Sequence, residues 1–383
     1  MEFQRLATSE RAARFNVQFE ALVNRAVRTY DGVLNTARLG GRKANYDDQH
    51  YEFVGGASDV LRRKHYDKSL RLLWKAEEHA PFLPFADSSK AERSLMEMAL
   101  RSLTDEERAE RERLSAPEFK AMLDREYTRQ QKQAIVNILA AIGHGEAYAW
   151  LVSAELMGEV KSTGARAALT MQVLEEAKHF VVLRELISAF DVPIRRQSVW
   201  EYLFMERVYK ARGLEKFFGM NVLVEGIALS IFGVMSHLPG LEIARLFHLD
   251  ESRHTALPSN YFKEFPMTAW QKHNPRARYE RLRMILPAVP LIAQMEADMA
   301  ELGIDSFEFG GSVLRKISWL AERSGFALPL PRPILLESLN RLFNVYCKAT
   351  RDGHRNTDFI AAESTRGEQE LAVEAEVFEE LAS

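Results

Sequence analysis

Two long stretches of this chain are almost free of charge, and each carries a single carboxylate. Between Gln133 and Ala154 the only Asp, Glu, Lys or Arg is Glu146, and between Phe217 and Leu241 it is Glu225. Segments of this length and polarity are long enough to cross a bilayer. Gln133, Asn137, His144 and Ser153 in the first, and Asn221, His237 and a Pro-Gly turn in the second, argue against that, as do the charged segments beside them. The stretches read instead as two central helices of a soluble helical core, each burying one carboxylate. An ionised carboxylate alone in an apolar interior is costly unless a cation or good hydrogen bonds compensate it. A bound metal is such a cation.

The segments that follow supply further ligand-type residues. LEEAKHF contains Glu176 and His179, and LDESRHT contains Glu251 and His254. Residues three apart share a helix face and can meet the same ion. The connections KSTG (161–164) and SHLPG (236–240) are short enough to force antiparallel hairpins. Glu146 and Glu176 have their midpoint at 161, and Glu225 and Glu251 at 238, inside those turns. Each lone Glu is therefore expected level with its own Glu-x-x-His. Two such hairpins packed together converge Glu146, Glu176, His179, Glu225, Glu251 and His254, and carboxylates with imidazoles suit iron or manganese.

Around this core the chain reads as all-α, with helices at 117–160, 165–190, 198–236 and 241–256 and a break at DVP (191–193). Strand signals are nearly absent. Amphipathic helices are expected over 1–37 and 57–80, and a capping box at Thr104 and Glu107 starts a short charged helix. Further helices are expected near 276–303, 308–323 and 333–350, the last preceded by the proline-rich ALPLPRP. The whole reads as one domain: N-terminal helices over 1–116, the ligand-bearing core over 117–258, accessory helices over 259–355 and an acidic tail over 356–383. From 360 onward that tail has seven Glu against one Arg and reads as a solvated segment.

Several function classes are excluded by the same residues. Cys347 is the only cysteine, so an internal disulfide framework, a zinc ribbon and a cysteine-ligated iron-sulfur cluster cannot form. The formal charge of -3 gives no electrostatic reason to expect nucleic acid or an anionic membrane as partner. The opening MEFQRLATSERAARF lacks the apolar run of a secretory signal, so a cytoplasmic location is expected. No Gly-rich dinucleotide-binding motif is present, so electrons for any redox chemistry would come from a separate ferredoxin or flavin reductase.

The six-residue set resembles the ligand pattern of the ferritin-like di-iron carboxylate superfamily, whose fold is a four-helix bundle, here with additional N- and C-terminal helices. LDESRHT is similar to the group around the small subunit of class I ribonucleotide reductase and the di-iron monooxygenases, and VEGIAL and EEAKH to its ligand-binding oxidase branch. The resemblance covers about residues 117–258. It implies that Glu146, Glu176 and His179 hold one metal and Glu225, Glu251 and His254 the other, with Glu176 and Glu251 bridging. It also implies that Glu175 and Asp250 orient the histidines through their second ring nitrogens. Departures narrow the expectation. Leu183 stands where the reductase subunit keeps its radical tyrosine, and Tyr148 and Met220 replace the valine and tyrosine that the oxidases crosslink. Phe247 replaces the third histidine of arylamine oxygenases, with His248, one place off, a candidate extra ligand.

The implied function is a non-haem di-iron oxygenase that activates O2 to hydroxylate, N-oxygenate or desaturate an apolar or aromatic small molecule or acyl substrate. Two iron ions, or a mixed Mn/Fe pair, would be the cofactor, and the chain could act as a homodimer. A radical-generating or ligand-binding oxidase and a ferritin-like iron-handling protein are the alternatives. Helix spacing places Ala149, Phe180, Phe218, Val222, Ala228, Phe232 and Phe247 on the ligand faces as candidate pocket residues.

Overall fold

The computed structural model describes residues 6–36, 117–160 and 163–360, and among them every regular element is helical. The helix expected over 57–80, the capping box at Thr104 and the acidic tail beyond 360 lie outside the described residues. The helices, numbered here along the described residues, are α1 (Glu10–Thr36), α2 (Pro117–Glu126), α3 (Arg129–Leu156), α4 (Thr163–Ala189), α5 (Val199–Lys210), α6 (Leu214–Met235) and α7 (Ala244–Glu264). After these come α8 (Ala269–His273), α9 (Pro275–Ile285), α10 (Ala288–Gln294), α11 (Glu296–Glu301), α12 (Ser306–Arg323) and α13 (Arg332–Thr350).

The expected core helices are present but broken more often than their hydrophobicity indicates. The expected helix 117–160 divides at Thr128, whose side chain accepts from the Gln131 amide while the Gln131 side chain accepts from the Thr128 amide. That reciprocal cap starts a new helix. Ser198 and Glu201 make the same box at the start of α5. The expected helix 198–236 stops at Lys210 and restarts after Gly213, which takes φ 56°, a left-handed conformation that glycine adopts without the Cβ penalty. Within α6, residues Phe218–Val224 form a π-helical stretch that returns to α-helix at Glu225. The expected helix over 276–303 is three short helices, separated at Leu286–Pro287 and at Met295.

The helix expected over 241–256 runs on through Pro258 to Glu264. Proline has no N–H and leaves the carbonyl four residues earlier without its helical donor. Here that carbonyl belongs to His254, and Asn221 Nδ2 from α6 donates to it at 3.0 Å. A side chain of the neighbouring helix thus replaces the missing bond.

Helix α3 packs along α4, and α6 along α7; α7 also meets α4, and α3 meets the π stretch of α6. The two helices long and apolar enough to cross a membrane, Arg129–Leu156 and Leu214–Met235, are 72% and 83% buried within the protein over their most apolar windows. They are interior helices of this fold. Two apolar clusters flank them. One gathers Phe217, Phe218, Met284, Leu320 and Phe343, the other Ile135, Leu139, Leu183, Phe190 and Met235. The accessory helices close the open side: Ile317 and Leu320 of α12 come so near Gly226 that a Cβ there would lie 3.1 and 3.4 Å from them.

The tightest approach is at Gly311 of α12, where the backbone of Phe359 crosses and a Cβ would stand 2.0 Å from its carbonyl oxygen. Alanine in place of a helical glycine ordinarily adds about 1 kcal/mol of stability, but overpacking against a rigid backbone costs about 1–3 kcal/mol. We expect Gly311→Ala to lower the thermal midpoint. Gly145→Ala in α3, where a Cβ would meet nothing within 4 Å among the described residues, should raise it. Differential scanning calorimetry of both variants distinguishes the two signs.

Candidate metal centre

The six carboxylate and imidazole residues come together between the two hairpins. Glu146, Glu176, His179 and Glu251 form one group that could hold a metal ion, and Glu176, Glu225, Glu251 and His254 form a second, with all members buried. Lone glutamates from α3 and α6 meet the paired Glu-x-x-His faces of α4 and α7. Glu176 and Glu251 belong to both groups.

The atoms face one another in a consistent way. His179 Nδ1 lies 3.1 Å from Glu251 Oε1, 3.6 Å from Glu146 Oε2 and 4.0 Å from Glu176 Oε2. His254 Nδ1 lies 2.9 Å from Glu251 Oε2, 3.3 Å from Glu176 Oε1 and 3.4 Å from Glu225 Oε1. Each shared glutamate thus turns one oxygen to each histidine, the disposition a carboxylate needs to span two ions. Ligands at about 2.1 Å and right angles round one ion stand roughly 3 Å apart, which these separations approach. The rings of the two histidines are 6.3 Å apart.

Unpaired atoms at the centre leave room for an ion. Among the described residues, Glu146 Oε2, Glu176 Oε2, His179 Nδ1 and Glu251 Oε1 are buried and have no hydrogen-bond partner of acceptable geometry. They are one atom from each member of the first group. Buried polar atoms left unpaired are rare and costly, and one cation among these four would satisfy them all.

Electrostatics lead to the same place. Burial pushes the Glu176 carboxyl well above its usual range, and the charges of Glu225, Glu251 and Glu146 push it further. Burial and the charge of Glu251 push Glu225 up to about 8. Burial disfavours charge on His179 and His254, but their hydrogen bonds and charge contacts with the surrounding carboxylates outweigh it and raise both. Burial also opposes ionisation of Glu251, yet the two histidines hold it below its ordinary value. Four acids in one apolar space do not all ionise unless positive charge arrives. Without metal, protons supply it.

The outward nitrogens of the histidines are held by acids. His179 Nε2 is 3.0 Å from Asp250 Oδ2, and His254 Nε2 is 2.9 Å from Glu175 Oε2. These bonds cross: Asp250 of α7 holds the histidine of α4, and Glu175 of α4 holds the histidine of α7. With Nε2–H donating outward, Nδ1 is left as the nitrogen that faces the centre. Arg253 joins the two acids, its Nη2 lying 2.5 Å from both Glu175 Oε1 and Asp250 Oδ1. Lys178 adds a 2.6 Å contact to Asp250. Burial opposes ionisation of Asp250, but the hydrogen bond from His179 and the charges of His179, Lys178 and Arg253 keep it far below the usual carboxylate range.

Other expected positions lie elsewhere. His248 turns away from both groups, its Nδ1 2.9 Å from the carbonyl of Leu229, and its ring packs beside Gly233. Of the candidate pocket residues, Ala149 and Ala228 border an apolar cavity of about 90 Å³ that reaches Glu146 and Glu225. Phe180, Phe232 and Phe247 instead belong to the buried core on the α4 side, where Phe232 and Phe247 pack round the His179 ring. Phe218 packs on Phe326, and Val222 is fully buried in the other cluster. Beyond further residues of α3 and α6, the cavity wall comes from α5 and α10–α12, including Phe204, Met205, Leu291 and Met299.

Helix spacing puts Gln172 and Asn221 on the ligand faces as polar insertions, while it gives Glu201 no place at the site. Gln172 donates to Glu225 Oε1 at 2.7 Å and in turn accepts from Asn221 Nδ2 at 2.9 Å. Glu201, which also borders the cavity, sits 3.0 Å from His144 Nδ1 and pairs with Arg195. Burial raises the Glu201 carboxyl, but the Arg195 charge and the His144 contact bring it down to about 2. The only sequence signal for Glu201 was the capping box with Ser198.

No protein-family model matches the chain, and no curated protein or solved structure matches it either.

Two predictions follow from this electrostatic arrangement. The raised groups make the metal-free folded state bind more protons than the unfolded chain near neutrality, so its stability must fall as pH rises. Thermal midpoints of metal-free protein should decline from pH 6 to pH 9, and saturating Fe(II) or Mn(II) under anaerobic conditions should remove the decline. Metal binding at pH 7 should release protons, seen as a buffer-dependent enthalpy in calorimetry. Secondly, Arg253→Met should weaken metal binding at both positions by about tenfold or more, since it frees both supporting acids. Lys178→Ala, which touches Asp250 alone, should act less and on the His179 side.

Proposed function

We propose that this chain is a ferritin-like four-helix di-iron protein that uses O2 to oxidise an apolar or aromatic small molecule or acyl chain, with electrons delivered by a separate ferredoxin or flavin reductase. The observation that carries the reading is the placement of the apolar cavity. It reaches Glu146 and Glu225 on the face of the centre away from the two histidines, and its remaining wall is almost wholly hydrocarbon. A metal ligand exposed to an empty apolar space suits chemistry on a hydrocarbon better than storage of a hydrated ion.

Two ferrous ions bound there would supply the electrons that reduce O2. Glu146, Glu176, Glu225 and Glu251 would provide the anionic ligands and His179 and His254 the imidazoles. The protein's own residues do the remaining work. The apolar wall desolvates the substrate and keeps water from the reacting carbon. Asp250 and Glu175 fix the histidine rings. Met205, Met295 and Met299 line the cavity with flexible side chains that can move to admit molecules larger than its present volume. At about 90 Å³ the space is smaller than the ~150 Å³ engineered cavity that admits benzene, so bound substrate would displace them.

The test is anaerobic loading with Fe(II), chemical reduction and mixing with O2 under stopped-flow absorbance, followed by mass-spectrometric product screening of aromatic amines, fatty acids and their thioesters. A transient optical species and a product carrying oxygen, or lacking two hydrogens, are the expected results. Ala228→Leu fills the cavity beside Glu225. It should keep two irons per chain while cutting product formation at least about tenfold, as misplacement of reacting groups does. Rapid loading of many irons per chain without organic product would identify iron handling instead. Neither optical transient nor product in any screen would sink the oxygenase reading.

A further inference from the structure

Glu146 and Glu225 enter the centre as matching lone carboxylates, yet their surroundings differ. Gln172 Nε2 donates to Glu225 Oε1 at 2.7 Å and lies 3.3 Å from Glu176 Oε1. These are the two oxygens that face His254 Nδ1, at 3.4 and 3.3 Å. Asn221 holds Gln172 in place, its Nδ2 lying 2.9 Å from Gln172 Oε1 and 3.0 Å from the His254 carbonyl. That carbonyl is open to it because Pro258 has no N–H to offer. Both amides are buried. One pair of side chains thus ties the π stretch of α6 and the α7 backbone at its histidine to two ligand carboxylates.

The other half has nothing equivalent. Among the described residues, no side chain outside the ligand set donates to Glu146, and its Oε2 is without a hydrogen-bond partner at the edge of the cavity. Glu225 borders the cavity too, but with one oxygen already fixed.

We propose that the two metal positions are unequal, and that Gln172, held by Asn221, is a positioning residue that makes the Glu225–His254 position the tighter of the two. This rests on the di-metal reading above. A glutamate side chain loses rotamer freedom when an ion captures it. For Glu225 much of that ordering is complete before the metal arrives, and the second lone pair of Oε1 stays available to the ion. Donation from Gln172 draws some charge from the oxygen and opposes this gain. Hydrogen-bonded support of ligands nonetheless raises metal affinity on balance, by about ten- to a hundredfold. Glu146 has to be ordered by the ion itself.

Anaerobic titration of the full chain with Mn(II), followed by calorimetry and by the electron paramagnetic resonance of bound Mn(II), tests the proposal. Two steps separated by at least about tenfold in affinity are expected, with the spin-coupled pair signal appearing only in the second. Glu146→Gln should keep the tight step, and Glu225→Gln should lose it. Gln172→Leu should weaken the tight step by about ten- to a hundredfold and leave the weak step where it was. Asn221→Ala should move the same step by less.

Equal steps in the wild-type chain, or a Gln172→Leu variant that shifts both steps or neither, overturns the proposal. If Gln172→Leu does not fold, the contrast between Glu146→Gln and Glu225→Gln decides, because the inequality is read there without it. Two equal ions bound by the wild-type chain refute the inequality alone. No bound Mn(II) or Fe(II) refutes the di-metal reading as well.

Discussion

Four carboxylates held within a few ångströms of one another in an apolar interior dominate this structure. Like charges at that distance in a poorly polarisable medium repel strongly, and removing them from water adds its own cost. Helices α3, α4, α6 and α7 nevertheless aim them at one another and leave four ligand atoms without hydrogen-bond partners. Protons relieve the repulsion, which is why Glu176 and Glu225 hold theirs above the usual carboxylate range, but they do so without filling the gap between the groups. Divalent cations would do both. The outward acids, the arginine between them and the buried amide pair all become intelligible as parts that hold ligands still for such an ion.

The ligand set was legible because it depends on regularities that helices impose. Glu-x-x-His places two donors on one face, and a short turn fixes which residue of the partner helix lies level with them. The lone carboxylates stood out because their surroundings contain no other charge. What surrounds the ligands was less legible. Glu175 and Asp250 were expected to support histidines, but that each supports the histidine of the other hairpin depends on how the hairpins are rotated against each other. Nothing in either seven-residue motif encodes that rotation.

The cavity was the least legible part. Phe180, Phe232 and Phe247 lie on the expected faces yet serve as packing, while much of the cavity wall is contributed by α5 and α10–α12, remote in sequence from the motifs. Helix periodicity locates a face but not the element that will cover it. The helix interruptions form an intermediate case. The caps at Thr128 and Ser198 and the turn at Gly213 use residues whose preferences are visible in the sequence, although uninterrupted hydrophobicity obscured them. The π stretch at Phe218–Val224 has no compositional mark at all. Its trace in the sequence is indirect: Asn221 within it and Pro258 in the facing helix complete one hydrogen bond between them.

The crossed support of the histidines bears on when in its folding the chain could first hold an ion. A chain that has made only α3 and α4 has Glu146, Glu176 and His179, but the acid that fixes that ring arrives about seventy residues later on α7. The second hairpin alone has the converse deficiency. Neither hairpin alone completes either group that could hold a metal ion. The centre would then act as a check on its own assembly: firm retention of an ion would begin only when the last helix of the set is seated, and a misdocked chain would let its ion go.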